Sequence, residues 1–233
     1  MGHFAEMRRR FLRSVIAIGV TTMLAFFFVS PIMEVLTAPA PDLDLTAIDL
    51  LENMSMFFKI SLFTGFIVAF PYLVYQFFAF LTPAMTPRER RFVFTALPFI
   101  AILFLAGVAF AYFIALPPAL GFFQTFLDEW VHMQPRITSY INVVTRLILG
   151  VGLAFELPIV IMALARLGIV SPQWLSSKRR IWIVVAFVLG ALITPTFDPI
   201  NQTIVAVPLI VLYELSIWLS KLVYRKKRER GLS

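Results

Sequence analysis

The sequence predicts an all-α integral membrane protein with six transmembrane helices. Its composition is 60% hydrophobic and only 14% charged, whereas a soluble globular domain is about 25% charged. The apolar residues form repeated long runs, and the basic residues gather in alternate polar segments between those runs. Because lipid offers no water to the backbone N–H and C=O groups, such runs are expected to cross as helices.

Each apolar run predicts one span of a single membrane domain that covers residues 1–233. The last two runs hold about 13 and 16 residues, whereas a straight crossing needs about 20. We therefore expect two short final helices that meet a locally thinned bilayer, and one re-entrant hairpin is the alternative. The predicted spans are residues 14–36, 54–81, 92–116, 140–167, 181–193 and 204–219, followed by a basic tail at 221–233.

The placement of positive charge predicts the orientation. Seventeen of the 20 Lys and Arg residues fall in segments that would share one side of the membrane, namely 1–13, 82–91, 166–180 and 221–230. The positive-inside rule then places both termini in the cytoplasm. The net charge of +7 is thereby explained by topology and by contact with anionic lipid, so no nucleic-acid partner is expected.

The inventory of reactive residues argues against an enzyme. The chain has no cysteine, and its two histidines, His3 and His132, lie outside the predicted spans. A serine–histidine or zinc site inside the membrane therefore cannot form, because no predicted span contains a histidine or a cysteine. Neither a phosphate-binding loop nor a dinucleotide-binding fingerprint is present. We expect no metal and no cofactor.

One carboxylate, Glu156, lies near the middle of the apolar stretch Leu147–Gly168. A charge at that depth costs at least about 2.5–3.5 kcal/mol, so an ionisable residue there is a functional-site hypothesis by default. The structural alternative is a protonated glutamic acid that is satisfied by a neighbouring helix. A secondary transporter that uses Glu156 as its proton carrier is one function that this residue permits.

Two further carboxylates stand within basic segments on the predicted cytoplasmic side. These are Glu6 in EMRRR and Glu89 in RERR. Each could simply be neutralised by its neighbours. Each could also accept the guanidinium groups of an incoming peptide through charge-assisted bidentate hydrogen bonds, with Arg8 and Arg90 orienting the carboxylates.

Several motifs follow one another along the chain in a fixed order. They are HFAEMRRRF, AFPYLVYQFFAFLTPAMTPRERR, GVAFAYFIALPPALGFF, LGVGLAFELPIVI, ITPTFDPINQ and VPLIVLYELSIWLS. Each is weak alone, but in this order they make the chain resemble the TatC family, the multi-spanning core of the twin-arginine protein translocase.

That resemblance implies a six-span, glove-shaped bundle with a concave face in the membrane of a prokaryotic cell. It implies a receptor for the twin-arginine signal peptides of folded precursor proteins. Transport would be driven by the proton motive force without ATP, with TatA and, in many systems, TatB as partner subunits. One copy is too small to enclose a channel for folded cargo, so we expect an oligomer.

The resemblance also assigns roles to particular residues. Glu156 would be the polar group on the concave face that contacts a partner helix, and the last two spans would form the docking edge. Pro39 would shape the first outer loop, and Asp198 and Gln202 fall in the last turn motif. The signal-peptide site would comprise Glu6, Arg8, Phe80, Pro83, Glu89 and Arg90.

Overall fold

The computed structural model describes residues 2–40, 44–82, 86–125, 134–166, 168–194 and 198–229. Within these ranges the chain is helical apart from short connections, and one isolated bridge joins the backbones of Thr46 and Arg136. The helices are α1 (Gly2–Phe26), α2 (Val29–Thr37), α3 (Leu50–Leu81), α4 (Pro87–Phe110), α5 (Leu116–Thr125), α6 (Ile137–Ala154), α7 (Leu157–Arg166), α8 (Pro172–Ser177), α9 (Arg179–Ile193) and α10 (Pro199–Glu229), with a π-helix at Ala111–Ala115.

Among the residues that the structure describes, four helical stretches are long and apolar enough to cross a membrane. They are Leu51–Leu81, Val93–Phe122, Ile137–Arg166 and Pro199–Leu222. The bent pair α1 and α2 adds a fifth if the two helices form one span. Helix α9 has 15 residues, or about 22 Å, which is shorter than the roughly 30 Å hydrocarbon core. The predicted all-α membrane class is confirmed, and the count of six spans stays a prediction.

The first apolar run bends by 82° between α1 and α2. Pro31 lies in the first turn of α2, has no amide N–H, and its ring clashes with the carbonyl of the residue four positions earlier. That residue is Phe27, which lies in the turn between the two helices. The stretch expected as one span over residues 14–36 therefore forms two helices.

A second proline divides the stretch around Glu156 into α6 and α7. Pro158 cannot donate to the carbonyl of Ala154, the last residue of α6. Phe155 and Glu156 form a turn, and the backbone carbonyl of Glu156 then accepts the first hydrogen bonds of α7 from Ile159 and Val160. Glu156 thus sits at a helix break rather than on a continuous helix.

The chain divides into two compact units, which are Met1–Ala101 with Gln124–Thr145 and Ile102–Phe123 with Arg146–Ser233. In the first unit, α1 packs along α3. The hydroxyl of Thr21 donates to the backbone carbonyl of Gly65 at 2.8 Å. Such short approaches between backbones are typical of membrane helices that meet at small residues.

Hydrogen bonds also tie the start of α3 to the start of α6 within the first unit. Asp49 caps α3 and forms a capping box with Glu52. One carboxylate oxygen of Glu52 also accepts from the backbone N–H and the hydroxyl of Thr138. The hydroxyl of Tyr140 donates to the carbonyl of Leu36 at 2.8 Å. These bonds join segments about 100 residues apart in sequence, so the connection before α3 is held in place.

In the second unit, α10 packs against α7, α8 and α9. The ring of Trp182 on α9 stacks on Tyr213 of α10 with centroids 4.6 Å apart. The buried hydroxyl of Tyr213 donates to the carbonyl of Leu175 at 2.9 Å. Arg179 forms an ion pair of 2.6 Å with Glu214, and that carboxylate raises the pKa of the Arg179 guanidinium. These contacts fix the short helix α9 against α10.

Two helices extend beyond the apolar runs that predicted them. Residues 116–125 continue as α5, although we expected a connection from residue 117. The π-helix precedes Pro117 and Pro118, which have no amide N–H to donate to the preceding turn. Its wider turn accommodates these missing hydrogen bonds, so the chain stays helical. Helix α10 has 31 residues because it continues into the polar basic tail. The predicted span 204–219 therefore lies inside a longer helix.

We expect Tyr213→Phe to destabilise the second unit by about 1 kcal/mol. The substitution removes the buried hydrogen bond from the Tyr213 hydroxyl to the Leu175 carbonyl, and that carbonyl keeps only the backbone N–H of Lys178 as a donor. The midpoint of unfolding by SDS in mixed micelles measures the change. Tyr75→Phe is the matched control, because Tyr75 is exposed and its hydroxyl forms no hydrogen bond with a residue that the structure describes. Equal stabilities of the two variants would contradict the assignment.

Candidate functional site

The acidic residue at the N-terminal end of α1 is held by an arginine one turn further along. The Nε and Nη2 groups of Arg10 both donate to Oε1 of Glu6, at 3.1 and 2.6 Å. The side chains are only 21% (Arg10) and 23% (Glu6) exposed, so this pair is more shielded from water than an ordinary surface pair. The local neutralisation that we considered for Glu6 is present, and its partner is Arg10, whereas Arg8 is exposed.

Arg10 also connects α1 to α3. Its Nη1 donates to Oε1 of Gln76 at 3.5 Å, and the amide of Gln76 donates to the hydroxyl of Tyr72. Gln76 is buried, so these partners satisfy an amide that would otherwise be costly inside the protein. The guanidinium of Arg10 therefore lies between the carboxylate of Glu6 and the amide of Gln76.

Aromatic contacts continue this set of residues to α4. The rings of Tyr72 and Tyr75 lie 6.2 Å apart, and Tyr75 meets Phe94 edge-on at 5.8 Å. The guanidinium carbon of Arg90 lies 5.8 Å from the centroid of the Phe94 ring, within the range of a cation–π contact. We call this contact series the recognition row; its members are Glu6, Arg10, Gln76, Tyr72, Tyr75, Phe94 and Arg90.

The recognition row contains only some of the residues predicted from sequence. Glu6 and Arg90 stand at its two ends, and Phe80 is half-buried on α3. Pro83 lies outside the described residues. Glu89 falls in the first turn of α4, and its side chain is likewise outside the described part of the chain.

Glu156 forms a second polar feature, in the second unit. The residue is 8% exposed, and Oε1 of its side chain has no hydrogen-bond partner among the described residues. The neighbouring Phe155 packs so closely on Gly107 that a Cβ atom there would lie 2.8 Å from its ring. An unpaired buried oxygen is unfavourable, so this carboxyl retains the capacity to bind a group that reaches it.

The remaining predicted residues have structural contacts. Asp198 caps α10, since its carboxylate accepts from the N–H groups of Ile200 and Asn201 at 3.2 and 3.1 Å. The amide of Gln202 donates to the carbonyl of Phe187 at 2.7 Å and thereby links α10 to α9. Pro39 is half-buried after the end of α2.

Sequence reasoning missed the middle of the recognition row. The spacing of Glu6 and Arg10 was an available signal, because residues four apart are neighbours on a helix. Gln76 and Tyr72 share the same spacing on α3. The contact between Arg10 and Gln76, 66 residues apart, had no such local signal.

Comparison with known proteins identifies the family of this chain. The family model described as "Sec-independent protein translocase protein (TatC)" matches residues 2–208. The chain belongs to the TatC family. It is 39% identical to TatC of Aquifex aeolicus (strain VF5), over 97% of this chain and 96% of that relative. It is 34% identical to TatC of Escherichia coli (strain K12), over 98% and 90% of the two chains.

Solved TatC structures agree with this assignment. A crystal structure described as the twin arginine translocase receptor TatC superposes with a TM-score of 0.81 at 39% identity, over 95% of this chain and 99% of that one. A second, determined in DDM, gives 0.83 at 38% identity. The TatC resemblance inferred from the motifs is confirmed. The chain is a membrane protein and a component of the twin-arginine protein translocase.

Proposed function

We propose that this TatC chain is the receptor that binds twin-arginine signal peptides of folded precursors. The observation that carries the proposal is the recognition row, which connects the carboxylate of Glu6 to Arg90 beside Glu89. A related solved structure is described as a receptor, which supports the same role here. Glu6 and Glu89 would each receive a guanidinium, and Phe80 and Pro83 would line the peptide.

Exchange of guanidinium groups provides a physical route for binding at Glu6. An arginine of the peptide offers the same planar donors as Arg10, so it can replace Arg10 on the carboxylate and keep the charge of Glu6 paired. Nη1 of Arg10 already lies 3.5 Å from the amide oxygen of Gln76. This oxygen can continue to accept a hydrogen bond from Arg10 after Arg10 has left Glu6. Arg8, exposed two residues further along α1, would orient the incoming peptide.

The proposal places this site in the cytoplasm of a prokaryotic cell. Its support is the distribution of charge, since 17 of the 20 Lys and Arg lie in segments that share the side of both termini. The chain would be one six-span domain with a basic cytoplasmic tail. Transport would use the proton motive force without ATP.

Assembly with TatA, and in some systems TatB, is assigned to the second unit. Helix α9 is 15 residues long and would provide the docking edge together with α10. Glu156 would hydrogen-bond a polar side chain on a partner's transmembrane helix. Oligomerisation would supply the surface that a single chain lacks for folded cargo.

We expect Glu6→Gln and Glu89→Gln each to weaken binding of a labelled twin-arginine signal peptide by about tenfold or more. Each substitution removes a charge-assisted hydrogen bond, which contributes about 1.5–3 kcal/mol. Fluorescence anisotropy with the purified full-length protein in neutral detergent measures the affinity.

Glu214→Gln is the matched control for this experiment. Glu214 also pairs with an arginine at 2.6 Å, but it belongs to the second unit, so its loss should leave binding unchanged. A twin-lysine peptide controls for net charge and should bind weakly, because lysine lacks the bidentate donors. Undiminished binding in both the Glu6 and the Glu89 variant would refute the site.

A further inference from the structure

The exposed face of α6 changes from polar to apolar part-way along the helix. Ser139, Asn142 and Arg146 are exposed on this face, and Leu153, two turns further along, is 46% exposed. Spacings of three, four and seven residues place these side chains on one side of the helix. The helix belongs to a stretch that is long and apolar enough to span a membrane, and its residues after Arg146 are all apolar. Arg146 is therefore the last polar side chain on this exposed face.

The length of chain between two arginines places Arg146 at the edge of the hydrocarbon core. Arg166 follows Arg146 by 20 residues, which rise about 30 Å as a helix, and the hydrocarbon core is about 30 Å thick. Arg166 lies in the last turn of α7, next to the segment predicted to face the cytoplasm. The guanidinium of Arg146 is therefore expected at the level of the headgroups in the opposite leaflet.

The end of α9 marks a similar level. A Cβ atom at Gly150 would lie 2.8 Å from the side chain of Ile193, which is the last residue of α9. Arg146 lies about 6 Å, or four residues, beyond Gly150 towards the start of α6. Both α6 and α9 thus stop presenting apolar surface at nearly the same depth, which is the depth that the guanidinium can reach.

We propose that Arg146 binds the phosphate of a phospholipid in the leaflet opposite the predicted cytoplasmic side. A guanidinium group matches phosphate oxygens through bidentate, charge-assisted hydrogen bonds. The aliphatic stem of Arg146 can lie along the apolar surface while its charge reaches the headgroups, so the charge avoids the cost of burial in the core. Because every phospholipid carries this phosphate, the site selects the phosphate group rather than one headgroup.

The bound phosphate would fix the depth of Glu156. This residue follows Arg146 by ten residues, or about 15 Å, which is half of the roughly 30 Å core. An arginine held at the headgroups therefore keeps the carboxyl near the bilayer centre, where a partner's transmembrane helix would meet it. This consequence rests on the partner contact proposed for Glu156, whereas the phosphate site does not.

Electron paramagnetic resonance of a spin label tests the proposal. The chain has no cysteine, so Leu153→Cys provides a single attachment point on the exposed face. Power saturation with oxygen and a nickel complex measures the depth of the label in full-length protein. The bilayers are palmitoyl-oleoyl phosphatidylglycerol, or digalactosyl diacylglycerol with the same acyl chains, which contains no phosphate.

In phosphatidylglycerol we expect Arg146→Leu to move the label towards the bilayer centre by up to about 6 Å, because the apolar face then continues as far as Asn142. Arg146→Lys should keep most of the wild-type depth, since an ammonium group also reaches the headgroups. In the galactolipid, the wild type and Arg146→Leu should place the label at the same depth.

Arg136→Leu is the matched control, because Arg136 is an exposed arginine immediately before α6. It should leave the depth unchanged in both lipids. A shift in this control as large as in Arg146→Leu, or no shift of Arg146→Leu in phosphatidylglycerol, would overturn the anchor. Equal shifts of Arg146→Leu in the two lipids would overturn the phosphate, since water or a carboxylate of the protein would then be the partner. No signal peptide or partner subunit is present, so failure here would leave the proposed function untouched.

Discussion

Replacing Glu156 by alanine is expected to leave signal-peptide binding within about twofold and to reduce transport about tenfold or more. The carboxyl is buried at the break between α6 and α7, and its Oε1 lacks a partner among the described residues. A hydrogen bond between membrane helices contributes about 1–2 kcal/mol, so its loss would weaken association with a partner helix about tenfold. Precursor binding and transport in membrane vesicles give the two readouts.

The conservative variant Glu156→Gln separates a partner contact from a proton carrier. Glutamine keeps the shape and the hydrogen-bonding capacity of the side chain but cannot exchange a proton. We expect it to retain assembly with TatA and most of the transport. Transport lost in Glu156→Gln while assembly persists would favour the proton-carrier function instead. Precursor binding lost in Glu156→Ala would contradict the division between the two sites.

Gly65→Ala should be among the most destabilising single-methyl substitutions in the first unit. A Cβ atom at Gly65 would lie 2.5 Å from Oγ1 of Thr22 and 2.6 Å from its backbone nitrogen. Backbone atoms cannot rotate away, so α1 and α3 must separate. Overpacking of this kind costs about 1–3 kcal/mol. It would also displace Arg10 from Gln76, and signal-peptide affinity should fall with stability.

Gly19→Ala is the matched control on the same helix, α1. A Cβ atom at Gly19 would meet no atom within 4 Å, and alanine is the better helix former. We expect this variant to be at least as stable as the wild type in mixed-micelle unfolding with SDS. Similar midpoints for the Gly65 and Gly19 variants would contradict the close crossing of α1 and α3.

The recognition row shows which residues of a candidate site can be predicted from local sequence patterns. The two basic segments at its ends were apparent from sequence, because a carboxylate inside EMRRR or RERR interrupts a run of basic residues. The motif suggested Arg8 as the arginine that orients Glu6, and the structure pairs Glu6 with Arg10. Arg8 belongs to the motif, but Arg10 is one full turn from Glu6 and therefore reaches it.

The positions of the prolines in the sequence predict where the helices break. Pro31 lies near the end of the first predicted span, and the 82° bend begins four residues before it. Pro158 carries the same information for the break at Glu156, since each proline frees the carbonyl four positions earlier. The sequence therefore holds the positions of the breaks, whereas the angle at each break depends on the helices packed around it.

The sequence by itself determined that this chain is a helical membrane protein of the TatC family and that Glu156 lies deep in an apolar stretch. Those features depend on composition, on motif order and on the length of apolar runs, all of which are local. Tertiary structure alone decided that Arg10 meets Gln76 and that Glu52 meets Thr138, 86 residues away. Such pairs depend on how closely two helices approach, which small residues such as Gly65 permit but do not specify.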